Sequence, residues 1–168
     1  MSPSEADSAD DDSADVSADD VWYADGLAFA CTGCGGCCTG SPGYVWVTDE
    51  EVEAIAAHLD KPVGEVRLTD CRPARGALTL RDHANGDCVY FNPSTRRCTV
   101  YPVRPRQCRT WPFWPENLRT ERSWSHVAEG CPGIGRGAIV PLEQIQATAR
   151  NAGLPFQSLD GGRGKKQE

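Results

Sequence analysis

Cys31-Thr-Gly-Cys34-Gly-Gly-Cys37-Cys38 is the stretch on which the fold turns. Four thiols within eight residues, spaced by glycine, suit neither a helix face nor a strand face. They describe a tight loop that presents sulfur. Gly33, Gly35 and Gly36 let such a loop take positive φ and aim backbone N–H groups at sulfur, where they stabilise thiolates. Cys31 and Cys34 have the spacing of a close ligand pair of tetrahedral zinc. Cys37 and Cys38 are adjacent, and an extended backbone would send their side chains to opposite sides. Neighbours placed that way would serve different metals, or different irons of one cluster.

Working outward, Cys88, Cys98 and Cys108 follow at ten-residue intervals, and then Cys131. Residues 77–81 and 88–91 read as short strands around the turn Asn85-Gly86-Asp87. Asn92-Pro-Ser-Thr95 supplies a second turn before residues 97–101. This meander puts Cys88 and Cys98 on neighbouring strands. The eight cysteines fit two four-ligand sites or one multinuclear site, and Cys71 is left over as a lone thiol. His58, His83 and His126 make no ligand pair by spacing; His83 and His126 stand as substitutes for a cysteine ligand. Arg96, Arg97, Arg104, Arg106 and Arg109 have no acid among them. They are placed to offset the charge of about -2 that four thiolates and a Zn²⁺ carry together. Trp111, Phe113, Trp114 and Trp124 bracket the last ligands and read as packing around the metal.

Composition points the same way. Leu, Ile, Val and Phe number 29 of 168 residues, about 17%, below the roughly 20% at which a packed core becomes doubtful. Something besides apolar burial must offset the conformational entropy of folding. The net charge of -7 is concentrated at one end: residues 1–25 hold nine acids and no Lys or Arg, and the rest holds 15 acidic and 17 basic residues. Residues 1–25 are expected as a disordered acidic tail, residues 26–155 as the cysteine-cluster domain, and residues 156–168 as a flexible tail. There is no basic start followed by an apolar run and no apolar stretch near the ~18 residues of a membrane span. The expected location is the cytoplasm, where clustered cysteines are metal ligands rather than disulfides. The expected partner is a metal ion, with a protein partner left open and no membrane. The near-neutral body and acidic tail argue against nucleic acid.

Elsewhere the chain predicts helices. Thr48 before Asp49, Glu50 and Glu51 is a capping box, and Val52, Ile55, Ala56 and Leu59 give one apolar face ending near residues 58–60. Pro62 opens a second helix to about residue 67, and residues 141–150 form a last one. Five prolines between residues 102 and 132 predict only short turns and loops through residue 137. The expected fold class is α+β: a small irregular metal-stapled domain with a short antiparallel β-meander and three or so helices.

Cys31-x2-Cys34-x2-Cys37-Cys38, Cys88-Val-Tyr-Phe, Cys98-Thr-Val-Tyr, Arg104-Pro-Arg-Gln-Cys108-Arg-Thr-Trp-Pro-Phe113 and Cys131-Pro-Gly together resemble the YkgJ-type cysteine-cluster family, described as zinc- or iron-chelating. The resemblance covers roughly residues 28–150. It implies metal chelation by those eight cysteines, with Cys71 outside the pattern. Relatives carry the labels iron–sulfur oxidoreductase and flagellin lysine methylase. This chain shows no Gly-rich nucleotide motif and no nucleophile–base pair, so no catalytic residue is identified. The leading expectation is a metal-binding protein whose centre is mainly structural, with zinc first and an iron–sulfur cluster second. The alternatives are an iron–sulfur oxidoreductase or electron carrier, a flagellin-methylase-like enzyme, and a zinc-based protein or nucleic-acid interaction module.

Overall fold

Thr48 opens the segment whose shape local chemistry dictates most strictly. Its hydroxyl accepts the Glu51 N–H at 3.3 Å, and the Glu51 carboxylate accepts the Thr48 N–H at 3.0 Å. This reciprocal cap starts helix α1 (Asp49–His58). The computed structural model describes residues 21–152. The expected tails lie outside those residues up to residue 20 and from residue 156.

Helix α1 buries Val52, Ile55 and Ala56. Helix α2 (Val63–Thr69) follows Pro62 and adds Val66. Both cover a three-stranded antiparallel sheet of β2 (Trp46–Val47), β4 (Ala77–Leu80) and β3 (Cys71–Ala74), in that spatial order. Cys71 stands opposite Leu80, and Trp46 opposite Thr79. Tyr90 and Val100 close this first hydrophobic cluster.

A second cluster forms from the two ends of the described chain. Strand β1 (Leu27–Phe29) pairs antiparallel with β7 (Ile134–Val140). Helices α4 (Pro115–Leu118), α5 (Glu121–Gly130) and α6 (Leu142–Asn151) contribute Leu118, Trp124 and Ile145, and Phe113 joins them. Phe113 stacks on Trp124 at 5.7 Å and meets Phe29 edge-on at 5.6 Å. Trp22, within the expected tail, packs here and donates its Nε1–H to the Leu118 carbonyl at 2.8 Å. Between the clusters lie a small hairpin, β5 (Phe91–Asn92) with β6 (Arg97–Cys98), and the one-turn helix α3 (Arg106–Arg109).

The α+β class and the small antiparallel sheets agree with expectation; three details differ. Residues 77–80 pair with residues 71–74 and 46–47, and the expected pairing with residues 88–91 is reduced to one bridge, Asp82 with Cys88. The cause is the two-residue turn at Arg75 and Gly76, whose φ values of 48° and 80° suit a tight hairpin. The described residues hold six α-helices, two of them a single turn, where three or so were expected. The proline-rich region also contains ten-residue α5 and seven-residue β7. No proline falls between Pro115 and Pro132, and the Thr120 hydroxyl caps α5 by accepting the Ser123 N–H at 3.0 Å.

Ile55 is fully buried, so Ile55→Ala should cost about 2–5 kcal/mol, read by urea unfolding of the metal-loaded protein. Burial also pushes the Cys71 thiol up to about 11 from 9.0. The stability held by the neutral thiol is complete below its unfolded value and is lost as pH rises toward 11. The stability difference between wild type and Cys71→Ala should therefore shift against wild type from pH 9 to pH 11, measured by unfolding at each pH.

Candidate metal centre

Gly35 sets the cysteine loop. Its φ is +72°, and a Cβ there would stand 2.5 Å from the Arg96 carbonyl oxygen and from the Phe91 ring. A Cβ on Gly36 would stand 2.8 Å from the Gly130 carbonyl oxygen. The loop is thus pressed between the β5–β6 hairpin and the end of α5. Residues Gly36–Cys38 form one 3-10 turn rather than extended chain. The Gly36 N–H points at Cys34 Sγ, 3.4 Å away. The turn also puts Cys37 Sγ and Cys38 Sγ 4.0 Å apart on the same side, which corrects the expectation of opposite sides. A tetrahedral zinc with Zn–S near 2.3 Å separates its sulfurs by about 3.8 Å, so these neighbours have the spacing to share one ion.

Four further thiols lie on the Cys38 side of the loop, counting Cys37. The Cys88 N–H donates to the Cys38 carbonyl at 2.8 Å. Cys98 comes from β6, and its sulfur lies within hydrogen-bond reach of Cys38. Cys108 sits on α3 and lines the same cavity as Cys37, Cys88 and Cys98. Gln107 holds that helix in place. Its Oε1 accepts the Trp46 N–H at 2.8 Å and its Nε2 donates to the Tyr44 carbonyl at 3.1 Å, as a neighbouring strand would. Glu51 Oε1 accepts the Arg106 N–H from the other side.

The other three thiols belong to the second lobe. The Ala30 N–H donates to the Gly133 carbonyl at 3.1 Å, continuing the β1–β7 pairing. Cys31 and Cys131 therefore emerge at the same end of that ribbon. Cys34 lies two residues before Gly36, which is pressed against the Gly130 carbonyl next to Cys131.

All eight cysteines line one cavity, and Cys71 does not. The cavity measures about 60 Å³, far below the roughly 300–1,000 Å³ of organic ligand sites. Its wall holds no carboxylate and no imidazole, so neither His83 nor His126 reaches it. Among the described residues no three Cys, His, Asp or Glu side chains already close on a point; the sulfurs line a hollow. The donor set itself decides which group fits: thiols, an N–H aimed at sulfur, and an arginine, a combination that suits thiophilic metals.

Proton sharing follows from the crowding. Cys37 is held down to about 6, first by its hydrogen bond with Cys38 and further by the Arg104 charge. Cys98 is held at about 7, again first by Cys38, with Arg104 contributing. Cys38 is pushed far up as it keeps the proton between them. Burial pushes Cys88 up to about 11 and raises Cys108 as well. A bound cation replaces such protons. Arg104 lines the cavity and stacks on Tyr101 at 3.7 Å. Arg106 and Arg109 lie against Glu51 instead, and Arg96 covers Phe91. Trp111 lines the cavity with Trp114 edge-on behind it at 4.8 Å. Sequence reading missed Gln107 and Tyr101 and saw Glu51 only as a cap. Adjacency to Cys108 was the one signal for Gln107.

The model of the CxxCxxCC family, described as "Putative zinc- or iron-chelating domain", matches residues 30–132. The chain belongs to the CxxCxxCC family. An uncharacterized protein of Methanocaldococcus jannaschii is 32% identical over 82 residues, which cover 49% of this chain and 43% of that relative. The chain thus spans less than half the length of this curated relative. No solved structure matches the chain. Membership of the CxxCxxCC family supports metal binding and leaves zinc and iron both open. Among the described residues no helix is long and apolar enough to cross a membrane.

Gly35→Ala should lose most of the bound metal. Gly64→Ala, at a helical glycine with open space around it, should keep it. Gln107→Ala should lower stability by about 1–3 kcal/mol through its two lost bonds and accelerate metal loss. Metal-to-protein ratios after gel filtration against a weak chelator check all three.

Proposed function

We propose that Cys31, Cys34, Cys37, Cys38, Cys88, Cys98, Cys108 and Cys131 hold metal, and that the centre's main task is to fix the fold. The observation that carries this reading is convergence. Thiols from five separate chain segments meet in one cavity between two modest hydrophobic clusters, while the ninth stays in the core. Structural zinc contributes on the order of 10–16 kcal/mol to folding, enough to compensate for a thin aliphatic core. Zinc is the leading ion, favoured by the Cys37–Cys38 spacing. An iron–sulfur cluster is the second reading, favoured by the Gly36 N–H on Cys34 sulfur and by Arg104, since hydrogen bonds and nearby charge tune such clusters. Either ion, when bound, supplies the positive charge that lets buried thiols ionise. A reduced cytoplasmic setting suits both.

Elemental analysis of anaerobically purified protein, with a visible spectrum, separates the two: zinc gives a colourless protein and a cluster gives a brown one. The metal-stripped, reduced chain should melt far below the holo form. Equal melting temperatures would overturn the structural role.

A further inference from the structure

Two hollows adjoin the cage, and each shares two of its sulfurs. One is a recess of about 270 Å³ lined by Cys31, Thr32, Gly33, Arg97, Cys98 and Tyr101. All of these but Arg97 also line the cage. The other is a groove of about 400 Å³ whose wall includes Cys37, Cys108, Trp111 and Trp114. In each hollow one thiol is exposed, Cys31 or Cys37, and one is half-buried, Cys98 or Cys108. Cys34, Cys38, Cys88 and Cys131 line the cage but neither hollow. Structural zinc sites are closed, whereas two sulfurs of this cage face outward.

The two hollows differ in charge. The groove is walled by tryptophan and valine, and neither a carboxylate nor a guanidinium lines it. In the recess the Arg97 guanidinium lies by the cysteine loop, where a Cβ on Gly33 would stand 3.8 Å from its nitrogen. Arg97 has no ion-pair partner among the described residues. The Tyr101 hydroxyl lies within hydrogen-bond reach of Cys31, and Arg104 stacks on the Tyr101 ring at 3.7 Å. No carboxylate lines the recess. Fixed positive charge at an entrance repels a free divalent cation and gathers anions. Metal held by several carboxylates or thiolates travels as an anion, because the ligand charges exceed its own. The recess therefore suits the complexed ion and not the bare one.

We propose that the Cys31 recess is the door through which the cage exchanges metal with a small anionic chelator. Arg97 draws the negative groups of the chelator. Cys31, as the exposed thiol, is the first cage sulfur it meets, with Cys98 behind it. The exchange is a ligand substitution without redox change. Each metal–sulfur bond that breaks is replaced by a bond to a chelator donor, and the freed sulfur takes a proton from solvent; uptake runs the same steps in reverse. The inference rests on the metal-binding reading above and adds a route in and out of the centre.

The test uses the zinc-loaded full chain, with metal content measured first. Zinc extraction by excess EDTA, an anionic chelator, is timed against extraction by TPEN, a neutral one. Arg97→Gln should slow EDTA by on the order of tenfold at low salt and leave TPEN unchanged, and the difference should fade at high salt. Arg150→Gln, at an exposed arginine in the last turn of α6 and outside both hollows, should change neither rate. Thr32→Trp, which puts a large ring at the exposed edge of the recess, should slow both chelators. An EDTA rate unchanged in Arg97→Gln, or slowed equally in Arg150→Gln, would overturn the proposal. So would a Thr32→Trp chain of native zinc content and melting temperature that releases zinc as fast as wild type. Each of these leaves the metal-binding reading intact. A chain that takes up no zinc overturns the proposal and the zinc reading together.

Discussion

Eight sulfurs around about 60 Å³ cannot all be thiolates without a compensating charge, because like charges in a low-dielectric pocket repel strongly. That constraint governs the rest of the molecule. With protons alone the cage settles unevenly: Cys38 keeps one between Cys37 and Cys98, and Cys88 and Cys108 stay neutral. Bound cations would take the place of such protons. The two hydrophobic clusters then need only be large enough to bring their loops to a common edge, and neither is large.

The polar residues around the cage serve as spacers and props. Gln107 copies the hydrogen bonding of a strand at the edge of β2 and so fixes the helix that carries Cys108. Gly35 and Gly36 let backbone approach where any side chain would collide. Arg104 supplies a fixed positive charge from within the wall. None of these contacts is large in energy by itself. Their value lies in holding the eight sulfurs around one cavity.

That eight of the nine cysteines belong together was legible in the chain, because residue type and spacing are what a sequence displays directly. The Thr48–Glu51 cap was equally visible, being local. The relation of Cys37 to Cys38 was not, since it depends on the left-handed backbone of Gly35 and the turn that follows. The β1–β7 pair was hidden for another reason. Residues 134–140 are mostly exposed and glycine-rich, so they lack the alternation that marks a strand, and their partner lies over a hundred residues away. Helix α5 was obscured by prolines that flank it without entering it. The order of strands around β4 followed from the Arg75–Gly76 turn, a short signal that the nearby Asn85-Gly86-Asp87 sequence outweighed.

Glu51 gives the architecture a further property. One carboxylate oxygen closes the first turn of α1 and the other grips the backbone of Arg106, 55 residues along the chain. Shortening the side chain to Asp would break that span. Exchanging it for Gln would leave one arm without an acceptor. A position that resembles ordinary solvent-facing helix is therefore specified in both length and charge, and through it the onset of one helix is tied to the seating of the distant helix that carries Cys108.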